Sequence, residues 1–303
     1  MHCIAHKKDL DGLGSHAILR RYALEQGIEP VHHFSDYDSL GETIAELSRS
    51  LTSERVVIAD LGCNAKLHRY AGELRRLCER NEVVWIDHHD WDDAGELVKA
   101  GFRLVLSTEK CAAELVQEEF MPGDEHSRRI AELAHAHDFR EENELAWKLY
   151  DVISSGYDRM RFVELLASGV LWCEEFERAY RKYQEAKRRG YEYIDAHTMV
   201  LEVSGYTCAM ALSEKYLSST LACLHLQRLG TDFVVVVYPD GKLSFRRNSE
   251  RVDLGRIARA FGGGGRATAA GAKLDMKVDE ENYRRVFLDI AARIERVLEA
   301  ESR

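Results

Sequence analysis

One apolar run that stops abruptly on charge constrains this chain more than any other feature. Val83-Val84-Trp85-Ile86 is followed at once by Asp87-His88-His89-Asp90. An unbroken apolar run reads as a strand buried on both faces, which implies a parallel sheet covered by helices. The pattern recurs twice. Residues 2–6 lead into His6-Lys7-Lys8-Asp9-Leu10-Asp11, and Arg55-Val56-Val57-Ile58-Ala59 stops on Asp60. Ligands of open α/β sheets sit at the carboxyl ends of the strands, so these acids and histidines stand where chemistry would be done. For any one of them alone, a solvated strand end is the alternative.

The segments between these strands read as helices at 12–26, 41–51 and 65–80, with further strands at 31–34 and 102–106. Helices follow at 111–120 and 125–136, the second running into His135-Ala136-His137-Asp138. Strands alternating with helices imply right-handed βαβ units. From 143 to about 197 the pattern is helical throughout. The stretch 176–193 is dense in Lys, Arg, Glu and Tyr; it reads as a solvated connector, with a nucleic-acid stripe as the alternative. Strands are expected again at 200–203, 208–212, 233–238, 242–246 and 272–276, with helices at 218–229, 253–261 and 280–299. Pro239-Asp240-Gly241 is a turn, and Asp253 is placed to cap the helix it precedes. The expectation is an α/β chain in three parts: a parallel-sheet catalytic domain over 1–175, a helical connector over 176–197 and a smaller α/β domain over 198–303. The active site is expected in the cleft between the domains.

No apolar run approaches the ~20 residues of a membrane span. The first residues lack the charged lead and apolar core of a signal peptide. Seven cysteines, odd in number and without a CxxC pair, fit reduced thiols. Together these point to the cytoplasm and to no membrane partner. A formal charge of −10 argues against wrapping a long duplex, which needs many phosphate contacts, but leaves room for a small anionic substrate.

Neighbouring strands would bring His6, Asp9, Asp11, Asp60 and Asp87-His88-His89 to one edge, with Asp138 joining from the end of its helix. Two carboxylates ~4 Å apart repel by roughly 4 kcal/mol at an effective dielectric near 20. Several such pairs exceed what a domain's net stability absorbs, so either the acids are protonated or dispersed, or cations neutralise them. Carboxylates mixed with imidazole and lacking thiolate suit Mn²⁺ or a similar ion. Enough donors are present for two ions. Paired ions generate hydroxide at neutral pH and clamp phosphoryl oxygens.

A second candidate site is Gly262 to Gly271, which opens on four consecutive glycines, Gly262 to Gly265. Such a run allows backbone N–H groups to form an anion-binding nest. Lys242, Arg246, Arg247, Arg251, Arg256, Arg259 and Arg266 gather around it in sequence. A flexible hairpin rim with solvated arginines is the alternative.

The chain resembles the DHH phosphoesterase superfamily, whose signature triplet is here Asp87-His88-His89. Its C-terminal part resembles the DHHA1 substrate-binding domain, whose glycine signature matches Gly263-Gly264-Gly265-Arg266-Ala267-Thr268-Ala269-Ala270-Gly271. By architecture the chain resembles the nanoRNase and oligoribonuclease branch, then RecJ-like and archaeal exonucleases. The resemblance implies that His6, Asp9 and Asp60 hold one Mn²⁺, and that Asp11, Asp60, His88 and Asp138 hold the other, with Asp60 shared. Mg²⁺ or Co²⁺ would be substitutes. It implies that His89, beside Asp87, contacts the scissile phosphate. It gives Ser244 and Arg246 the substrate's phosphate, and Gly263, Gly264 and Gly265 its terminal phosphate or nucleotide. Two positions depart from the family pattern. Arg266 stands where the family usually has His; it binds phosphate but stays charged near neutral pH. Arg247 stands where a small hydroxyl residue is usual.

The expected activity is a Mn²⁺-dependent phosphodiesterase that degrades short single-stranded RNA or DNA to mononucleotides. The alternatives are a phosphatase for pAp, a hydrolase of cyclic or linear dinucleotides, and, from another class, a non-catalytic RecJ-like replication partner. The sequence leaves a homodimer open.

Overall fold

The computed structural model describes residues 1–64, 66–91 and 94–299, leaving aside the side chain of Glu96. It divides into two compact units, Met1–Tyr183 and Gln184–Arg303, and the division falls inside one long helix.

The first unit carries strands β1 (His2–His6), β2 (Val31–Ser35), β3 (Arg55–Ala59), β4 (Glu82–Asp87) and β5 (Arg103–Leu106). They form one sheet in the order β2-β1-β3-β4-β5, with every pair parallel. Register sets Ala5 beside Ala59 and Ala59 beside Ile86, so the three central strands finish at one level. The chain leaves β1 for β2 on one side and returns to β3 on the other. Strand order therefore reverses between β1 and β3, which opens a crevice at their carboxyl ends.

The unbroken apolar runs are explained by helices on both faces. On one face α2 (Leu40–Ser50) and α3 (Ala71–Arg80) bring Leu40, Ile44, Leu74 and Leu77 against Ile4, Val56, Ile58 and Trp85. On the other, α1 (Leu10–Glu25) packs with α4 (Ala112–Phe120), α5 (Glu125–Asp138), α6 (Glu144–Ser154) and α7 (Arg159–Ala167). There Leu13, Ala17 and Ile18 meet Ala5, Val57, Val84 and Ile86. Alternate residues of each strand thus enter different cores. Asp124, Asn143 and Asp158 cap α5, α6 and α7 with side-chain bonds.

The long helix α8 (Glu174–Ala196) contributes fully buried Phe176 to the core of the first unit and Ile194 to a core of the second. Its arginines pair along the helix, Arg178 with Glu174, Arg181 with Glu177, Arg188 with Glu192 and Arg189 with Glu185.

The second unit holds β6 (Thr198–Val203), β7 (Tyr206–Leu212), β8 (Phe233–Val237), β9 (Lys242–Arg247), β10 (Gly264–Gly265) and β11 (Ala269–Lys273), ordered β10-β11-β9-β8-β7-β6. β7 and β8 run parallel, linked through α9 (Ser219–Gln227), and the other neighbours are antiparallel. Val234 and Val236 face α9 through Ala222 and Leu226, while Phe233 and Val235 join Ile257 of α10 (Leu254–Ala260) and Phe287 of α11 (Tyr283–Glu299). Asp253 accepts from the Arg256 N–H at 3.1 Å and caps α10 as expected.

Two expectations change. The helix expected over 65–80 is a 3₁₀ turn at Leu67–Tyr70 followed by α3, and Ala65 lies outside the described residues. The strand expected over 272–276 is β11, which starts at Ala269. Ala269-Ala270-Gly271 has no intrinsic strand signal; pairing with Arg246-Phe245-Ser244 of β9 makes it a strand. Among the described residues no helix is long and apolar enough to cross a membrane.

Candidate metal centre and substrate elements

His6 is the last residue of β1. Asp9 caps α1, its Oδ1 accepting from the Gly12 N–H at 3.1 Å, and this frees Oδ2 to meet His6 Nδ1 at 2.5 Å. Gly12 makes the turn possible, because a Cβ there would stand 2.1 Å from the His6 carbonyl oxygen.

Asp60 follows β3 in a left-handed conformation, φ +53°, which costs a non-glycine residue about 1 kcal/mol. Its buried carboxylate lies between two imidazoles. Oδ2 is 3.6 Å from His6 Nδ1, and Oδ1 is 3.5 Å from His88 Nε2. Oδ2 is buried and has no hydrogen-bond partner. His88 also stands 3.6 Å from Asp11 Oδ2 through Nε2 and 3.6 Å from Asp138 Oδ2 through Nδ1. These separations are too long for hydrogen bonds. Those at His6 and at His88 Nε2 match two donors held by one ion, which lie about 3.4 Å apart when each is ~2.1 Å from a tetrahedral centre, whereas Asp138 faces the other ring nitrogen of His88. His6, Asp9 and Asp60 form one group with donor atoms within 4.8 Å of one another, and Asp60, His88 and His89 form another.

The electrostatics agree. Burial, reinforced by Asp9, pushes Asp60 well above the ordinary carboxylate range. Burial and then Asp60 do the same to Asp11. Burial opposes charge on His6, yet Asp60 and Asp9 outweigh it and push the imidazole up to about 10. Buried acids whose charge is opposed by their surroundings, with one carboxylate between two histidines and its Oδ2 unpartnered, form a donor set that a divalent cation completes. Among oxygen and imidazole donors without thiolate, the chemistry fits a Mn²⁺-like ion. The residues therefore fit the metal that the resemblance implies.

Asp11 and Asp87 have places the sequence did not reveal. Both oxygens of Asp11 accept from the start of α4, Oδ1 from the Ala113 N–H at 2.6 Å and Oδ2 from the Ala112 N–H at 2.8 Å. It is thus an anchor for α4 as well as a neighbour of His88. Asp87 is fully buried and does not face the crevice as a reacting group. Its Oδ1 meets His89 Nδ1 at 2.8 Å and its Oδ2 accepts from Trp91 Nε1 at 2.6 Å. Asp87 positions His89, and His89 is the residue that can touch substrate. Burial works against charge on His89, but Asp87 and Asp60 raise its pKa above the usual value. His89 Nε2 lies 2.9 Å from the Tyr37 hydroxyl. Tyr37 and Trp91 are site residues that no motif in the sequence marks. A weaker signal for Tyr37 exists, since β2 also ends on an acid, Ser35-Asp36, just before it.

Replacing Asp87 with Asn keeps the shape and the Trp91 bond but removes the charge that orients His89. The expected result is a kcat about 10–100-fold lower with Mn²⁺ affinity unchanged; parallel steady-state kinetics and metal titration check both halves.

In the second unit, Ser244 and Arg246 alternate along β9 and so share a face. Ser244 is buried; Arg246 is half-buried, its Nη1 donating to the Phe245 carbonyl at 3.0 Å. Arg247 is half-buried and its N–H donates to the Thr268 carbonyl at 3.2 Å. The glycine run is not an open nest. Gly264 and Gly265 form β10 and pair with Gly271 and Ala270. Gly263 is required by close approach, since a Cβ would stand 2.1 Å from the Gly271 carbonyl. Arg266 closes the β10–β11 hairpin, its N–H donating to the Ala269 carbonyl at 2.8 Å, and is exposed.

A family model for the DHHA1 domain matches residues 214–295. No curated protein matches the chain. Among solved structures, an exonuclease RecJ bound to manganese is similar at TM-score 0.66 and 15% identity, over 97% of this chain and 90% of that one. A pGpG-specific phosphodiesterase, PggH from Vibrio cholerae, is similar at TM-score 0.60 and 14% identity, over 97% and 99%. An exopolyphosphatase-related protein from Bacteroides fragilis is similar at TM-score 0.53 and 16% identity, over 98% and 93%. At these identities the likeness is one of fold. Residues 214–295 match the DHHA1 domain, and the chain shares the fold of these solved structures over nearly its whole length.

Proposed function

We propose that the chain is a phosphodiesterase using two Mn²⁺ ions to release mononucleotides from short single-stranded oligonucleotides. The observation that carries this reading is Asp60, whose two oxygens face His6 and His88 and whose Oδ2 has no other partner. His6, Asp9 and Asp60 would hold one ion; Asp60, His88, Asp138 and Asp11 would hold the other. When bound, the pair supplies an activated water and neutralises charge developing on the phosphoryl oxygens. His89, oriented through Nδ1 by Asp87, presents Nε2 to the scissile phosphate. Tyr37 now occupies that nitrogen, so phosphate binding exchanges one hydrogen-bond partner for another. The raised pKa of His89 favours the charged ring that an anion prefers. Ser244, Arg246, Arg247 and Arg266 are assigned to the substrate's other phosphates.

A second reading keeps the chemistry and narrows the substrate to a linear dinucleotide. It draws on the likeness to a pGpG-specific phosphodiesterase over the whole length of both chains. The test is Mn²⁺-supported digestion of a labelled RNA ladder of two to about twenty nucleotides, with pGpG and pAp in parallel and chelator as control. Stepwise release of mononucleotides supports the first reading. Cleavage of pGpG alone supports the second. Hydrolysis of pAp alone, or of nothing in a metal-loaded protein, contradicts both.

A further inference from the structure

The C-terminal end of α5 is closed by a cap suited to glycine. Phe139 is the C-cap, and Arg140 follows in the left-handed region at φ +61°. The Glu141 N–H donates to the Ala136 carbonyl at 2.8 Å and the Arg140 N–H to the His137 carbonyl at 3.3 Å. This is the Schellman arrangement, whose left-handed position is usually glycine because a Cβ there is strained. Arg140 gives the fold nothing in exchange. Its side chain is exposed, and among the described residues its guanidinium has no hydrogen-bond or ion-pair partner.

The residue before it is also unusual. Phe139 is 42% exposed, a large aromatic on the surface. One face of its ring is backed by His135, with centroids 4.3 Å apart and planes 13° from parallel. His135 is anchored in turn, its Nδ1 lying 2.6 Å from Glu114 Oε2. The ring is therefore a fixed shelf. Immediately before it comes Asp138, 3.6 Å from His88. An acid of the metal edge, a backed aromatic and an unpaired cation in strained backbone follow one another without a gap.

We propose that Phe139 and Arg140 are the nucleotide-recognition step beside the metal centre: the ring stacks a substrate base and the guanidinium takes an adjacent phosphate. This rests on the phosphodiester reading above and names what that substrate must carry, a base as well as a phosphate. An aromatic face serves every base alike, and the planar fork of arginine suits phosphate oxygens. Strain at a residue the fold does not need is the mark of a functional position. Flanking Glu141 does not compete for Arg140, since its carboxylate lies 3.6 Å from His135 Nε2. Glu142 is exposed beside it.

The test is calorimetric binding of a 5′-phosphorylated dinucleotide with a non-hydrolysable methylenephosphonate linkage to the Mn²⁺-loaded full chain. Inorganic phosphate serves as the probe without a base. Phe139→Ala is expected to weaken dinucleotide binding about tenfold and to leave phosphate binding unchanged. Arg140→Gly is expected to weaken it about tenfold, with a shallower dependence on salt, while its melting temperature stays equal to or above that of the wild type. Arg140→Lys should restore part of the loss. Unchanged dinucleotide affinity in both single variants overturns the proposal, as does a wild type that binds the dinucleotide no better than phosphate. A lowered melting temperature in Arg140→Gly would make the arginine structural and also overturn it. Hydrolysis of the ordinary dinucleotide is followed alongside. Tight, variant-sensitive binding without hydrolysis contradicts the phosphodiesterase reading and leaves the platform standing; hydrolysis with insensitive binding does the reverse.

Discussion

Asp60→Asn removes Mn²⁺-dependent hydrolysis, by more than about 100-fold in kcat, and leaves the metal-free protein folded. The residue is chosen because each oxygen faces a different imidazole and Oδ2 has no protein partner. Asparagine keeps the volume and the backbone conformation it tolerates in the left-handed region. It loses the negative charge that two cations would share. In the metal-free protein that charge is unfavourable, because burial and Asp9 oppose it. The variant's metal-free melting temperature is therefore expected to match or exceed the wild type's. Added Mn²⁺ stabilises whatever binds it, by RT ln(1 + [L]/Kd). The wild type should rise with Mn²⁺ and the variant should not. Differential scanning fluorimetry with and without the metal separates these outcomes. A variant that melts lower without metal and still responds to it would show that Asp60 is structural.

Trp85→Ala is the second large effect, and it falls on stability. The ring is fully buried in the core beneath α2 and α3, with Trp91 and Phe102 each 5.2 Å away by ring centroid. Deleting such a ring costs about 3–5 kcal/mol, a large share of the ~5–15 kcal/mol that holds a domain folded. Trp85 also reaches the site, because Nε1 donates to the Leu61 carbonyl at 2.9 Å. Leu61 follows Asp60. Trp85→Phe therefore keeps most of the packing but leaves that carbonyl unpaired, at about 1–3 kcal/mol. Urea unfolding should rank the two variants Ala below Phe below wild type. The Phe variant should lose Mn²⁺ affinity despite its distance from the metal ligands. Equal midpoints for Phe and wild type would contradict the Leu61 contact as a support.

Much of this was legible in the residues, for identifiable reasons. A strand buried on both faces leaves an unbroken apolar run, so β3 and β4 and the acids that end them could be read directly. Helix caps are local, so Asp253 declared itself. Contacts that depend on tertiary placement did not. Asp11 anchors α4 across about a hundred residues of sequence, and nothing near it announces that. Tyr37 comes to His89 only because β2 lies at the sheet edge beside β1. The glycine run misled, because the same residues serve an anion nest and a tight hairpin. Which of the two forms is decided by the carbonyl of Gly271 lying against Gly263. Asp87 stands in the same triplet as His88 and His89, yet only its burial in the fold shows it to be a support for His89.

The most direct test of the account is a count of Mn²⁺ bound per chain by calorimetric titration of the chelator-stripped protein, repeated on Asp60→Asn. The account predicts two ions per wild-type chain and a loss of affinity at both sites in the variant, since one carboxylate serves both. A single ion per chain, or a variant that binds two ions as tightly as the wild type, would contradict it.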